Sequence, residues 1–111
     1  MRNLASATVI ANAITVADTS LQRAVGLLRH KHLEQGAGIW IRPCSGVHTF
    51  GMSFAIDVIG LDKNMCVVRL WPKLRPNRMT AIYPSVRTVL EVASGAISAS
   101  GVALGDQLIL E

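Results

Sequence analysis

Apolar and polar residues recur along this chain with two different periods, and the change from one to the other marks its elements. Residues 7–16, rich in Val, Ile, Thr and Ala, predict a first strand. Asp18-Thr19-Ser20 then opens a helix. Thr19 and Gln22 have capping-box spacing, in which the hydroxyl accepts the backbone N–H three residues on and the amide reaches back. Leu21, Ala24, Val25 and Leu28 fall at i, i+3, i+4 and i+7, so a helix is expected over about residues 19–30, packing Leu21, Val25 and Leu28 on a sheet. Gly36 and Gly38 break the chain before Ile39-Trp40-Ile41, a short strand stopped by Pro43.

Residues 47–54 alternate as a strand would, with His48, Phe50, Met52 and Phe54 on one face and Val47, Thr49, Gly51 and Ser53 on the other. Residues 56–61 form another strand. Asp62-Lys63-Asn64 turns it into a further strand over 65–71, with Asn suited to the left-handed position. Residues 72–80, with Pro72, Pro76 and three basic side chains, read as a long loop. Residues 86–92 predict a strand, 94–100 a helical turn ended by Gly101, and Gly105-Asp106 a turn into a last strand at 107–110. About six short strands and one long helix predict a mainly β fold, a small barrel or sandwich with the helix laid across it. Strands and helices do not alternate, which argues against a parallel α/β fold. With no repeat or linker, residues 1–111 read as one domain.

Composition changes this picture little: half the residues are apolar and 16% are charged, enough for a core and too apolar for disorder. Charge placement adds more. From Lys63 to Leu90 there are six basic residues (Lys63, Arg69, Lys73, Arg75, Arg78, Arg87) and no acidic one, within a net charge of +4. Such a stretch suits an anionic ligand, an acidic protein or nucleic acid, or is a solvated basic loop. Trp71 and Tyr83 offer stacking, but no nucleic-acid module is present, so nucleic acid is the least favoured of these. No apolar run approaches the roughly 20 residues that cross a bilayer, and polar residues interrupt the N-terminal stretch; no signal peptide is expected, and the chain as written reads as cytoplasmic.

Candidate chemistry is sparse. His48 sits within an expected strand, and Asp57, between Ile56 and Val58, is a carboxylate in an apolar run. A buried carboxylate must find a cation, amides or water. Asp57 is then either half of a structural ion pair or part of a pocket that binds something polar. Alternatively it orients His48 as an acid–base pair. Glu91 is a further candidate for such a pocket, or a surface carboxylate at a strand end. Asp106 reads as a turn residue whose carboxylate takes local amides. Cys44 and Cys66 are expected to be structural thiols; a Cys44–His48 dyad lacks a third group. His30 and His32 do not share a helix face, and no zinc spacing, phosphate loop or dinucleotide fingerprint occurs, so no metal or cofactor is expected.

Four separated blocks nevertheless resemble a known family. They are Arg23-x-x-Gly26-Leu27-Leu28-x-His30; Arg42-Pro43-Cys44 leading through Val47-His48-Thr49-Phe50-Gly51-Met52-Ser53-Phe54-Ala55-Ile56-Asp57 to Leu61-Asp62; Val89-Leu90-Glu91-x-Ala93-x-Gly95; and Gly105-Asp106. In this order they resemble the domain of unknown function 192 family of small bacterial and archaeal proteins, in its His-Thr-Phe-Gly-Met branch. The resemblance implies a compact, mainly β fold and no established activity. It also carries both Arg23 and Asp57, which makes Arg23 the candidate partner of Asp57 in an ion pair or a pocket, although the helix pattern places Arg23 well away from the apolar stripe. Relatives of this branch are encoded near pilus-assembly or secretion genes. The chain departs from the family at Ala55, where a proline is usual, and at Ser53, where an arginine is common in this branch.

The leading expectation is a non-catalytic binding domain for a small polar or anionic ligand or a protein partner, using Arg23, His48, Asp57 and Glu91. Alternatives are a small hydrolase or transferase with His48 as base and Asp57 orienting it, and an accessory docking protein of a secretion or pilus system. If Asp57 is sealed against backbone amides or Arg23, and His48 is packed in the core, these residues hold the fold together and the function is to be sought in the basic loop of Arg69, Lys73, Arg75 and Arg78.

Overall fold

A computed structural model describes residues 1–17, 33–50 and 52–110. The expected helix over 19–30, with Arg23, His30 and His32, lies outside the described residues. A five-stranded sheet is built from β2 (Ala13–Ala17), β3 (Ala37–Ile41), β4 (Ile56–Leu61), β5 (Val67–Leu74) and β6 (Thr88–Ala93), in the order β2-β3-β6-β4-β5. A smaller sheet pairs β1 (Arg2–Asn3) with β7 (Leu108–Ile109). The larger sheet is open, so the mainly β expectation holds as layered packing and not as a closed barrel. A short helix, α1 (Ala96–Ser100), ends at Gly101 in the left-handed conformation, where the lack of a Cβ removes the steric cost.

The strand β4 was legible because both of its faces are covered. All six of its residues are buried, as expected of a central strand that reads as a near-continuous apolar run. Ile59 and Leu61 point to one side, where Trp40, Leu90, Val92, Ile97 and Leu108 pack. Ile56 and Val58 point to the other, against Ile41, Val47, Met52, Val86 and Val89. Burying each of these side chains contributes about 1.5–3 kcal/mol.

Several elements differ from the pattern-based expectation. The first long strand is limited to Ala13–Ala17, and it pairs with β3 in parallel, whereas the other pairings among the described strands of this sheet are antiparallel. The described residues of 47–54 form no strand; they make an antiparallel bridge, His48 with Met79, and the Met52 amide donates to the Thr49 carbonyl. Val47 and Thr49 are buried while His48 and Phe50 are exposed, and Met52 is turned inward. In the β4–β5 turn the left-handed residue is Met65 rather than Asn64. Asp62 fixes that turn by accepting the amides of Asn64 and Cys66 at 2.8 and 2.9 Å.

The expected loop begins later than predicted, because β5 runs through Pro72 to Leu74. Proline is tolerated there since β5 is an edge strand. The register also slips at this point: Ile56 faces Leu74 and Val58 faces Trp71, so Asp57 opposes both Pro72 and Lys73 in a bulge.

Gly60 explains how closely β5 approaches. A Cβ there would sit 3.1 Å from the Arg69 Cβ and the Val86 Cγ2, and 3.2 Å from the Trp71 ring. Gly60→Ala is expected to cost about 1–3 kcal/mol, read as a lower midpoint of urea unfolding, because the edge strand must move outward to admit the methyl.

Candidate functional site

Asp57 is the odd residue of β4, and the bulge explains it. It is fully buried on the α1 side of the sheet. Its Oδ1 accepts the Lys73 amide at 2.8 Å, and its Oδ2 accepts the Ile97 amide at 2.8 Å. Pro72 has no N–H to give to β4, and Lys73, at φ 50°, turns its own amide toward the carboxylate. At the other oxygen, Asp57 replaces a helix cap. Gly95, the residue before α1, has no side chain for that task, so the sheet supplies the acceptor for the second helical amide. One carboxylate therefore ties an edge-strand bulge to the start of a helix.

Glu91 does not end its strand at the surface. It is fully buried inside β6, directly opposite Val58 on β4 and Ile39 on β3. Paired residues share a face, and neighbours along a strand alternate. Glu91 is thus on the Val58 face and Asp57 on the Ile59 face, so the sheet separates the two carboxylates.

His48 is exposed and stacks on Phe50, with ring centroids 5.3 Å apart. Among the described residues the Asp57 carboxylate accepts from two backbone amides, and His48 lines a cleft that includes neither carboxylate. The pocket expected from His48, Asp57 and Glu91 is not assembled by these elements. The proposed partner of Asp57, Arg23, lies outside the described residues. Asp106 holds a turn, its Oδ2 accepting from the Ala103 amide at 2.9 Å and from the Asn3 side-chain amide at 2.8 Å. Among the described residues no cluster of His, Cys, Asp and Glu has the makings of a metal site.

The basic segment is where exposed polar groups gather. Lys73, Arg75 and Arg78 line an open groove of about 370 Å³ with Leu70, Trp71, Pro72 and Leu74, and no acidic side chain joins them. Arg69 lies on the neighbouring surface, its guanidinium 4.0 Å from the Tyr83 ring centre, and Tyr83 in turn packs at 6.1 Å against Trp71.

This loop has a defined shape, and Thr49 gives it one. Thr49 is fully buried; its hydroxyl donates to the Arg75 carbonyl and accepts the Arg78 amide at 2.9 Å. Its backbone adds two more bonds, from its own amide to the Arg78 carbonyl and from the Asn77 amide to its carbonyl. Asn77 takes the left-handed conformation that lets the chain turn there. Thr49 was not singled out in the sequence, and its only signal was a small β-branched hydroxyl residue within an apolar run.

On the other side of the same loop is a smaller cleft of about 160 Å³, lined by Ile41, Cys44, Gly46, Val47, His48, Met79, Thr80 and Ile82. The Cys44 thiol donates to the Gly46 carbonyl. Thr80 closes the loop onto this wall, its amide bonding the Val47 carbonyl and its hydroxyl accepting the Val47 amide.

Comparison with known proteins agrees with this fold. The DUF192 family model, described as Uncharacterized ACR, matches residues 3–110. A crystal structure of a protein of unknown function from Novosphingobium aromaticivorans superimposes with a TM-score of 0.76 at 19% identity, over 87% of this chain and 74% of that one. A proposed transcription regulator from Sinorhizobium meliloti is similar with a TM-score of 0.70 at 20% identity, over 85% of this chain and 78% of that one. At such identities the likeness is one of fold. No curated protein matches the chain. Among the described residues no helix is long and apolar enough to cross a membrane.

Proposed function

The chain belongs to the DUF192 family of uncharacterised proteins, and from that premise and the geometry above we propose that it is a non-catalytic binding domain whose basic groove receives an anionic ligand. The observation that carries this reading is the groove formed by Trp71, Lys73, Arg75 and Arg78, three cations beside an aromatic ring with no acidic residue in the lining. Like charges are kept apart unless something offsets their repulsion, and an unbalanced cluster raises the local concentration of anions. Arginine adds a planar fork that matches carboxylate and phosphate oxygens two at a time. The loop is held by Thr49, so little ordering is required of it when a ligand arrives.

Titration with tripolyphosphate or citrate at low salt, followed by Trp71 fluorescence, tests this. Saturable binding is expected, weakening as salt screens the exposed charges. The double variant Arg75→Ser/Arg78→Ser should lower the affinity at least about tenfold, each lost charged contact being worth roughly 1.5 kcal/mol or more. Equal affinity in wild type and double variant would sink the reading. A duplex oligonucleotide in the same titration separates a small anion from nucleic acid.

A further inference from the structure

We propose that the basic groove and the apolar cleft beside it form one docking face for a protein segment that carries acidic residues next to a single bulky apolar side chain. This inference rests on the anion-binding reading of the groove and extends it to the class of partner. Its starting point is the loop that divides the two depressions. Arg75 and Arg78 line the groove, while Met79 and Ile82 line the cleft. Thus a single stretch of chain presents charge to one side and apolar surface to the other.

The apolar side is conspicuous. Ile82 is 78% exposed and Met79 68%, and Phe50, stacked on His48 next to the cleft, is 51% exposed. Single exposed apolar residues are ordinary, but a group on two adjoining loops around a concave apolar floor marks an interaction surface. That floor is Ile41 and Val47, buried members of the core, which gives an entering side chain a fixed wall. The opening is small, suited to one anchor residue rather than to a flat protein face.

Charge then selects the rest of the partner. No acidic residue occurs between Lys63 and Leu90 and none lines the groove or the cleft, so the charges of Lys73, Arg75 and Arg78 are unbalanced within these linings. A segment whose apolar side chain enters the cleft and whose neighbouring carboxylates reach Arg78 and Arg75 satisfies both depressions at once. A small anion uses the groove alone and leaves Met79 and Ile82 in water. A lipid surface would favour protruding apolar tips over a concave cleft.

Selection from a displayed library of random dodecapeptides on the intact protein, with synthetic versions of the selected peptides for affinity, tests the inference. The expected result is enrichment of Leu, Ile, Met or Phe beside Asp or Glu. Alanine in place of the apolar residue should lower the affinity at least tenfold. That tenfold difference should vanish in Met79→Ser/Ile82→Ser, both exposed positions, while tripolyphosphate binding is retained. Arg75→Ser/Arg78→Ser should instead remove the salt dependence. No enrichment, or enrichment without the acidic–apolar pairing, overturns the inference. If tripolyphosphate still binds in that case, the anion-binding reading stands alone; if it does not, both fall. Binding to phosphatidylserine vesicles that Met79→Ser/Ile82→Ser abolishes, with no peptide selected, assigns the face to lipid and overturns the protein partner.

Discussion

Replacing Asp57 with alanine should lower the unfolding free energy by about 3–5 kcal/mol, a large share of the 5–15 kcal/mol typical of a domain. The size follows from what the carboxylate holds. Two backbone amides, of Lys73 and of Ile97, end on its two oxygens, and alanine leaves both donors without this partner, the Ile97 amide in a buried setting and the Lys73 amide in a part-buried one. Neither has a ready substitute. The Lys73 amide sits in a bulge created by a proline, and the Ile97 amide sits in a first helical turn whose preceding residue is a glycine. Asp57→Asn should cost about half as much, because the amide oxygen keeps one bond while its NH2 group meets the other donor. Urea unfolding with an unchanged slope checks both values. The same variants, still folded at low denaturant, should bind tripolyphosphate as the wild type does. A stable Asp57→Ala protein that had lost that binding would return Asp57 to the ligand site.

Asp57 also shows how far the sequence could be read. A carboxylate between Ile56 and Val58 announces itself as a residue with a special task, and the strand around it was placed residue for residue. Its partners were hidden, because they lie 16 and 40 positions away and depend on a register slip that no local pattern encodes. The helical turn before Gly101 was legible for the opposite reason: a left-handed glycine is a local signal. The surface reading of Glu91 fails because the β6 strand runs two residues beyond it, to Ala93, which puts the carboxylate in the core.

The stretch 47–54 misled through its own composition. With apolar residues on both faces, alternation did not decide which face was inside. The decision comes from pairing with residues 78–80, about thirty positions on, which buries Val47 and Thr49 and leaves His48 and Phe50 outside. The basic stretch, by contrast, was visible as charge alone, and only its division into a groove and a cleft required the fold.

That division hangs on a single hydroxyl, so Thr49→Val should change the loop more than any substitution within the loop itself. Valine keeps the volume and the β-branch but removes the oxygen that takes the Arg78 amide and gives its proton to the Arg75 carbonyl. Both groups belong to a turn carrying Asn77 in a left-handed conformation, which water alone is a poor substitute for holding. The loss of two bonds in a buried setting should cost about 2–4 kcal/mol. Much of it should appear as local opening rather than global unfolding, since residues 75–80 are mostly exposed and add little to the core. Hydrogen exchange at the Arg78 amide should therefore speed up by roughly 30- to 500-fold, while amides of β4 and β6 change less. Thr49→Ser, which keeps the hydroxyl and loses one methyl, should leave exchange at Arg78 within about a few-fold of wild type. A mobile loop must be ordered before it binds, so Thr49→Val should also weaken tripolyphosphate binding without touching any cation. Unchanged exchange at Arg78 would mean that backbone bonds from Thr49 and Thr80 suffice to shape the loop, and that the groove is held from the strand side alone.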